Sequence, residues 1–220
     1  MIVLALDTAG VDCAAAVYDS GSGSDSVIGE VTETIGRGHA EHLMDVVDRA
    51  LAKANIALAA IERVVVTVGP GSFTGIRIGV AAARGFALSL SIPAVGVTTL
   101  EVMAAAVREK HPGKAVLAAI DAKREEIYLQ SFDAAGVALD EPRAVTVEEA
   151  RAIAGSFDGI VTGTAVARLN DAPPPERPDV FPIALVARLG AAKPVGEKPK
   201  PLYLRGPDAR PQAGYAVARA

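Results

Sequence analysis

Apolar residues run unbroken from Ile2 to Leu6, the pattern of a strand buried on both faces. Asp7-Thr8-Ala9-Gly10 then reads as a turn and Cys13 to Tyr18 as a return strand of small apolar residues. A Gly/Ser loop, Asp19 to Ser26, precedes a third strand near Val27–Glu33. The period then changes. Leu43, Val46, Val47, Ala50 and Leu51 recur at helical spacing and predict a helix over His39–Ala54, stopped by Asn55. Val64–Val68 predicts another buried strand, Gly69–Gly75 a tight loop, and Ile76–Leu90 a second helix ending before Pro93. Pro93–Val97 is a short strand, and Thr99 is placed as the cap of a helix reaching Lys110.

After His111-Pro112-Gly113 the pattern recurs. Residues 118–133 lie over residues 4–19 at an offset of 114, with Asp121 on Asp7, Phe132 on Tyr18 and Asp133 on Asp19. Ile160-Val161-Thr162-Gly163 echoes Val66-Thr67-Val68-Gly69. The order predicts two related α/β lobes: residues 1–105, a trimmed second lobe over 106–205, and a tail at 206–220. Prolines crowd residues 172–182 and 193–211, with a short helix over Ile183–Gly190 between them.

At 220 residues, half apolar and 22% charged, the chain has globular composition and a formal net charge of −4. Charge is unevenly placed: residues 1–45 hold eight acids against one base, and residues 188–220 seven bases against two acids. With no Trp and few aromatics, a uniformly basic, stacking RNA surface is not expected. No uncharged apolar stretch reaches the ~18 residues of a membrane span, and MIVLALDTAG has no basic segment of a secretory signal. The single Cys13 permits no internal disulfide and fits a reducing, cytoplasmic setting.

Gly69-Pro70-Gly71-Ser72-Phe73-Thr74-Gly75 lies between a strand and a helix, where backbone N–H groups commonly receive phosphate. A Walker loop would need Gly-Lys-Ser/Thr five residues on, and no lysine is present. A dinucleotide fingerprint would need glycine where Thr74 stands, and a nucleophile elbow would need glycines two residues either side of Ser72. All three spacings fail. A packing turn is the better reading, with Asp7, Gly71, Ser72 and Gly75 left as a weak phosphate or nucleotide loop.

The following helix carries only Arg77, Arg84 and Ser89 as charged or strongly polar residues. Ile76, Val80, Ala83 and Ala87 form one stripe, and Ile78, Ala82 and Phe86 another. A small lobe covers one such face, so the first stripe, supported by Leu43 and Val47 of the preceding helix, is assigned to a partner. His39-Ala40-Glu41-His42 lacks the H-E-x-x-H spacing of a zincin, and no metal site is expected. Arg124-Glu125-Glu126 reads as a solvated turn, and no carboxylate pair is assigned a catalytic role.

LALDTAG, Gly38–Leu43, GPGSFTGIRIG (Gly69–Gly79), Ile120–Tyr128 and Pro201-Leu202-Tyr203-Leu204-Arg205 together resemble the bacterial TsaB (YeaZ) family. The resemblance implies two ribonuclease-H-like lobes of the actin-like/Hsp70-like ATPase fold. It implies a non-catalytic subunit in forming threonylcarbamoyladenosine (t6A) at the tRNA adenosine 3′ of the anticodon. TsaD would be the heterodimer partner and the transferase, and TsaE an ATPase. ATP and metal would then be used by those partners, with none bound by this chain alone, and tRNA met only through the complex. Self-association through first-lobe helices is implied when TsaD is absent, and the family carries an older glycoprotease-like label. Gly163-Thr164-Ala165 departs from the family's Gly-acid-Gly turn. Two alternatives follow: a stand-alone small-molecule kinase using Asp7 and Asp121, and a metallopeptidase using His39 and His42.

Overall fold

The computed structural model describes residues 1–22, 27–123, 125–170, 173, 176–177 and 179–205. The expected tail at 206–220 and Arg124 lie outside the described residues. Strand β1 (Ile2–Asp7) pairs antiparallel with β2 (Asp12–Asp19), which pairs with β3 (Val27–Thr34). On its other edge β1 runs parallel to β4 (Arg63–Thr67), and β4 to β5 (Ala94–Val97), giving the order β3-β2-β1-β4-β5. The second sheet repeats this order without its fifth strand. In it β6 (Val116–Asp121), β7 (Glu126–Phe132), β8 (Arg143–Thr146) and β9 (Ile160–Thr162) lie as β8-β7-β6-β9. Three antiparallel strands continued by parallel ones, twice over, are the two ribonuclease-H-like lobes of an actin-like fold, the second trimmed.

The repeat is offset by one residue in its second strand. Asp7 pairs with Ala14, seven positions on, whereas Asp121 pairs with Ile127, six positions on. The second turn is therefore one residue shorter. Asp121 does occupy the place of Asp7, but Phe132, not Asp133, takes that of Asp19. Because side chains alternate across a strand, a constant offset of 114 puts every β7 residue on the wrong face.

The first sheet lies between two layers of helix. On one face pack α1 (His39–Ala54) and α2 (Phe73–Leu90), and on the other α6 (Ile183–Ala192). Neighbouring strand residues show this directly: a Cβ on Gly79 of α2 would meet the Val66 side chain, and one on Gly190 of α6 would meet Val65. The expected helix over Ile183–Gly190 thus exists, but not in the second lobe. It returns to the first, because Ile183, Leu185, Val186 and Ala187 are buried there and Arg63 caps its end. The Arg63 guanidinium donates to the carbonyls of Gly190, Ala191 and Lys193 at 2.9–3.0 Å, supplying partners that a helix C-terminus otherwise lacks.

α3 (Thr99–Lys110) likewise crosses the expected boundary at residue 105 and packs on β6 of the second sheet. Its cap is Thr98, not Thr99: Thr98 and Glu101 form a reciprocal capping box. Thr99 instead donates its hydroxyl to the Pro70 carbonyl at 2.5 Å, tying α3 to the glycine loop. Alternation along β6 divides the second lobe. Val116, Ala118 and Ile120 join the core shared with the first lobe. Leu117 and Ala119 face a smaller cluster with Ala150 of α4 (Val147–Ser156) and Leu169 of α5 (Val166–Leu169). α4 stands where the repeated order of elements requires a helix before β9, but the sequence-based reading gave it no residues, although Thr146-Val147-Glu148-Glu149 is a capping-box signature and forms one here.

Candidate functional site

The glycine loop and the turn after β1 meet, as the strand order requires. Asp7 is fully buried; its Oδ1 accepts the Ala9 N–H at 3.0 Å and the Thr67 hydroxyl at 2.6 Å, and Oδ2 has no hydrogen-bond partner among the described residues. Burial pushes its carboxyl up from the ordinary 3.8 to about 6, with a smaller push from the charge of Asp12. Cys13 beside it is raised to about 11, first by burial, then by Asp7 and Glu33.

The loop packs against the β1 turn, and two of its amides, those of Ser72 and Gly75, are bonded within the chain. A Cβ on Gly75 would lie 1.9 Å from the Thr8 carbonyl oxygen, and one on Gly71 2.4 Å from that of Ala9. These glycines exist for backbone-to-backbone approach. The Ser72 N–H donates to Ala9 O at 2.8 Å, the Gly75 N–H to the Ser72 hydroxyl at 3.2 Å, and the Thr8 hydroxyl to Gly75 O at 2.7 Å. Ser72 is thereby the N-cap of α2, which starts at Phe73 and not at Ile76. Asp7, Gly71, Ser72 and Gly75 are brought into one neighbourhood, but as a turn-on-turn contact in which the Ser72 and Gly75 amides are already bonded.

A strap from the proline-rich stretch covers the same turn. Arg177 Nη2 donates to Asp12 Oδ1 at 3.2 Å and to the Thr34 hydroxyl at 3.0 Å, and a Cβ on Gly10 would lie 2.1 Å from Asp179 O. Asp12 is buried and Arg177 half-exposed, so this ion pair is screened on one side. Arg177→Ala is expected to destabilise the fold by about 1–2 kcal/mol, measured by urea unfolding, with Arg177→Lys recovering part of it. An unchanged midpoint would show that the strap carries no weight there.

In the second lobe the equivalent acid is engaged differently. Asp121 Oδ1 accepts from Arg168 at 2.9 Å, and the Asp121 N–H donates to the Thr164 hydroxyl at 2.8 Å. His39 is buried with Nε2 3.2 Å from Asp12 O, while His42 is half-exposed beside Glu33, so the two histidines do not converge. Among the described residues no three His, Cys, Asp or Glu side chains cluster as metal ligands.

The partner stripe needs correction. Ile76, Val80 and Ala83 face β4 and are at most 3% exposed, and Leu43 and Val47 are buried under α1. Ala87 is half-buried. The inner stripe fills the lobe's own core because Gly79 and Ala83 let α2 lie close on the sheet. What α2 leaves uncovered is Phe73, Thr74, Arg77, Ala81, Arg84, Gly85, Leu88 and Ser89. Two of these are basic and none acidic. Arg77 stacks over the Phe73 ring at 3.6 Å and donates to the Tyr203 hydroxyl at 2.7 Å, so Tyr203 from the C-terminal stretch joins the same exposed cluster. By length and mean hydropathy, 1.2 over 18 residues, α2 would suffice to cross a membrane. Its packed inner stripe and outward arginines make it a helix lying on the sheet.

The family model described as TsaD, tRNA N6-adenosine threonylcarbamoyltransferase, matches residues 24–169. The tRNA threonylcarbamoyladenosine biosynthesis protein TsaB of Escherichia coli is 36% identical over 132 residues, covering 60% of this chain and 55% of that protein. The chain belongs to the TsaB (YeaZ) family. The match spans about half the length of the TsaB relatives from Escherichia coli and Haemophilus influenzae. An uncharacterized Mycobacterium tuberculosis protein is 35% identical over 199 residues, covering 85% of this chain and 84% of that one. A Pseudomonas aeruginosa crystal structure, described as an uncharacterized protein similar to peptidase YeaZ, superposes with a TM-score of 0.75 at 27% identity, covering 93% and 99% of the two chains. A second structure, YeaZ from Pseudomonas aeruginosa, gives 0.69 at 26% identity, covering 86% and 90%. In this TsaB-family chain, the GPGSFTGIRIG block is therefore the seam between the β1 turn and α2.

Proposed function

We propose that this chain is a non-catalytic scaffold subunit in threonylcarbamoylation of the tRNA adenosine 3′ of the anticodon. It would act in the cytoplasm with a TsaD transferase and the TsaE ATPase. ATP and metal would be handled by those partners, and tRNA would be met through the assembly. The observation that carries the reading is the exposed cluster that Phe73 and Arg77 of α2 form with Tyr203, beside a glycine loop whose Ser72 and Gly75 amides are bonded internally. Aromatic and arginine side chains are the residue types that dominate protein interfaces. Beside them, α1 exposes Met44 with Glu41, Asp45 and Asp48, so an acidic strip lies next to a basic one. The same pairing of strips suits self-association when TsaD is absent.

Isothermal titration of this chain with its TsaD partner tests the assignment. Arg77→Glu and Phe73→Ala are each expected to weaken the heterodimer at least tenfold without changing thermal melting, since both side chains are outside the core. Wild-type affinity in both variants would remove α2 from the interface. Steady ATP hydrolysis by the isolated chain, abolished by Asp7→Ala, would favour the kinase alternative instead.

A further inference from the structure

The C-terminal end of α2, the approach to β5 and residues 195–198 enclose an open cleft of about 520 Å³, a size that suits a small molecule, roughly 300–1,000 Å³. Its floor and walls are aliphatic. Leu88 is 79% exposed and Val195 56% exposed, and Ile92 and Pro93 complete the apolar lining. Such exposure of large aliphatic side chains around one concavity marks a contact surface.

Two cations stand on this lining, Arg84 from α2 and Lys198 from the extended segment. Neither is paired with a described residue, and no acid lines the cleft. The neighbouring acid, Glu197, is committed to Lys200 at 2.6 Å. The last carbonyls of α2 do not neutralise the cations either: the Ile92 N–H donates to Ala87 O at 3.0 Å and the Ser91 N–H to Leu88 O at 3.3 Å. Two solvent-exposed cations thus stand beside apolar walls with no described counter-ion.

The glycines supply an independent observation. Gly85 sits in the interior of α2, where glycine is less stable than alanine, yet a Cβ there would meet nothing within 4 Å. Gly196 across the cleft is likewise open. Neither is required by packing within this chain, and both keep the cleft wide.

We propose that this cleft binds a small aliphatic anion, an unbranched apolar chain ending in one carboxylate, which lies along Leu88, Ile92 and Val195 with its charge between Arg84 and Lys198. The site lies at the other end of α2 from the Phe73–Arg77–Tyr203 cluster; it draws Arg84 and Leu88 from the same uncovered face of the helix, but its ligand class does not depend on the role in tRNA modification. Octanoate is the probe. Titrated into the isotope-labelled full-length chain, it is expected to give saturable amide shifts at Gly85, Leu88, Ser91, Gly196 and Lys198. Octylammonium and acetate should bind at least tenfold more weakly, since one carries the opposite charge and the other lacks the chain. Gly85→Leu, which fills the cleft, and Lys198→Glu, which reverses its charge, should each reduce octanoate affinity at least tenfold while the chain melts at or above the wild-type temperature. Equal binding of octylammonium, shifts centred on Phe73 and Tyr203, or wild-type affinity in both variants would overturn the proposal. Tighter binding of an acidic octapeptide than of octanoate would also overturn it, assigning the cleft to a protein segment. Concentration-dependent shifts at the same amides without any ligand would assign it to a second copy of the chain.

Discussion

Val80→Glu and Ala83→Glu are each expected to abolish cooperative thermal unfolding of the isolated chain. Val80 is 3% exposed and Ala83 not at all, both pressed on the sheet beside the point where Gly79 approaches Val66. A glutamate there is an unpaired ion in an apolar layer, which costs several kcal/mol even after relaxation. A domain of this kind has about 5–15 kcal/mol in total, so one such change consumes much of it. Ala81→Glu is the control, one residue along the helix from Val80 and on its exposed side. It should melt like the wild type and act only on association. Circular dichroism melts of the three variants decide the matter, and a wild-type transition in either core variant would mean that α2 presents the opposite face to the sheet.

The second large effect is on pH dependence. Asp7 is raised by burial from 3.8 to about 6, so between those values the folded chain holds a proton that the unfolded chain has released. Stability from this group is therefore full below about pH 4 and is lost as pH rises through about 6. The loss is about 3 kcal/mol, from 1.36 kcal/mol for each pH unit separating the two values. Asp7→Asn keeps an oxygen for the Ala9 N–H and the Thr67 hydroxyl but cannot ionise. Urea unfolding at pH 4, 5, 6 and 7 should show the variant gaining on the wild type as pH rises. Other carboxylates contribute their own slopes to both proteins and cancel in the difference. Parallel curves across this range would show that Asp7 titrates normally.

Much of the secondary structure was legible because it is written locally. The helical spacing of Leu43, Val46, Val47, Ala50 and Leu51 predicts α1 over the residues it occupies, and those five, with His39, are its buried side. The spacing tests on Gly69–Gly75 pointed to a packing turn, and the contacts of Gly71 and Gly75 with Ala9 and Thr8 are of that kind. The strand order of the first half recurs in the second. The start of α2 was misplaced because the capping role of Ser72 was not weighed, and α4, implied by the repeat, was left without bounds although its Thr-x-x-Glu box stands in the sequence.

The candidate site fared less well, for a physical reason. Periodicity shows which residues share a stripe; it shows which stripe faces inward only when the other is polar. α2 has apolar residues on both Ile76–Val80–Ala83 and Ile78–Ala82–Phe86, so its sequence was compatible with either orientation. Only docking on β4, with Gly79 against Val66, decided that the first stripe is core. The same holds for contacts made across long stretches of chain. Arg177 reaches Asp12 across 165 residues, Tyr203 reaches Arg77 across 126, and α6 returns to the first sheet after the second lobe is complete. The sequence by itself determined the elements, their order, their duplication and the close approach of the glycine loop, since each depends on neighbours within a few residues. Tertiary structure alone decided which face of α2 is buried, where α6 belongs and which side chains assemble on the surface, because those follow from packing between segments that share no local pattern.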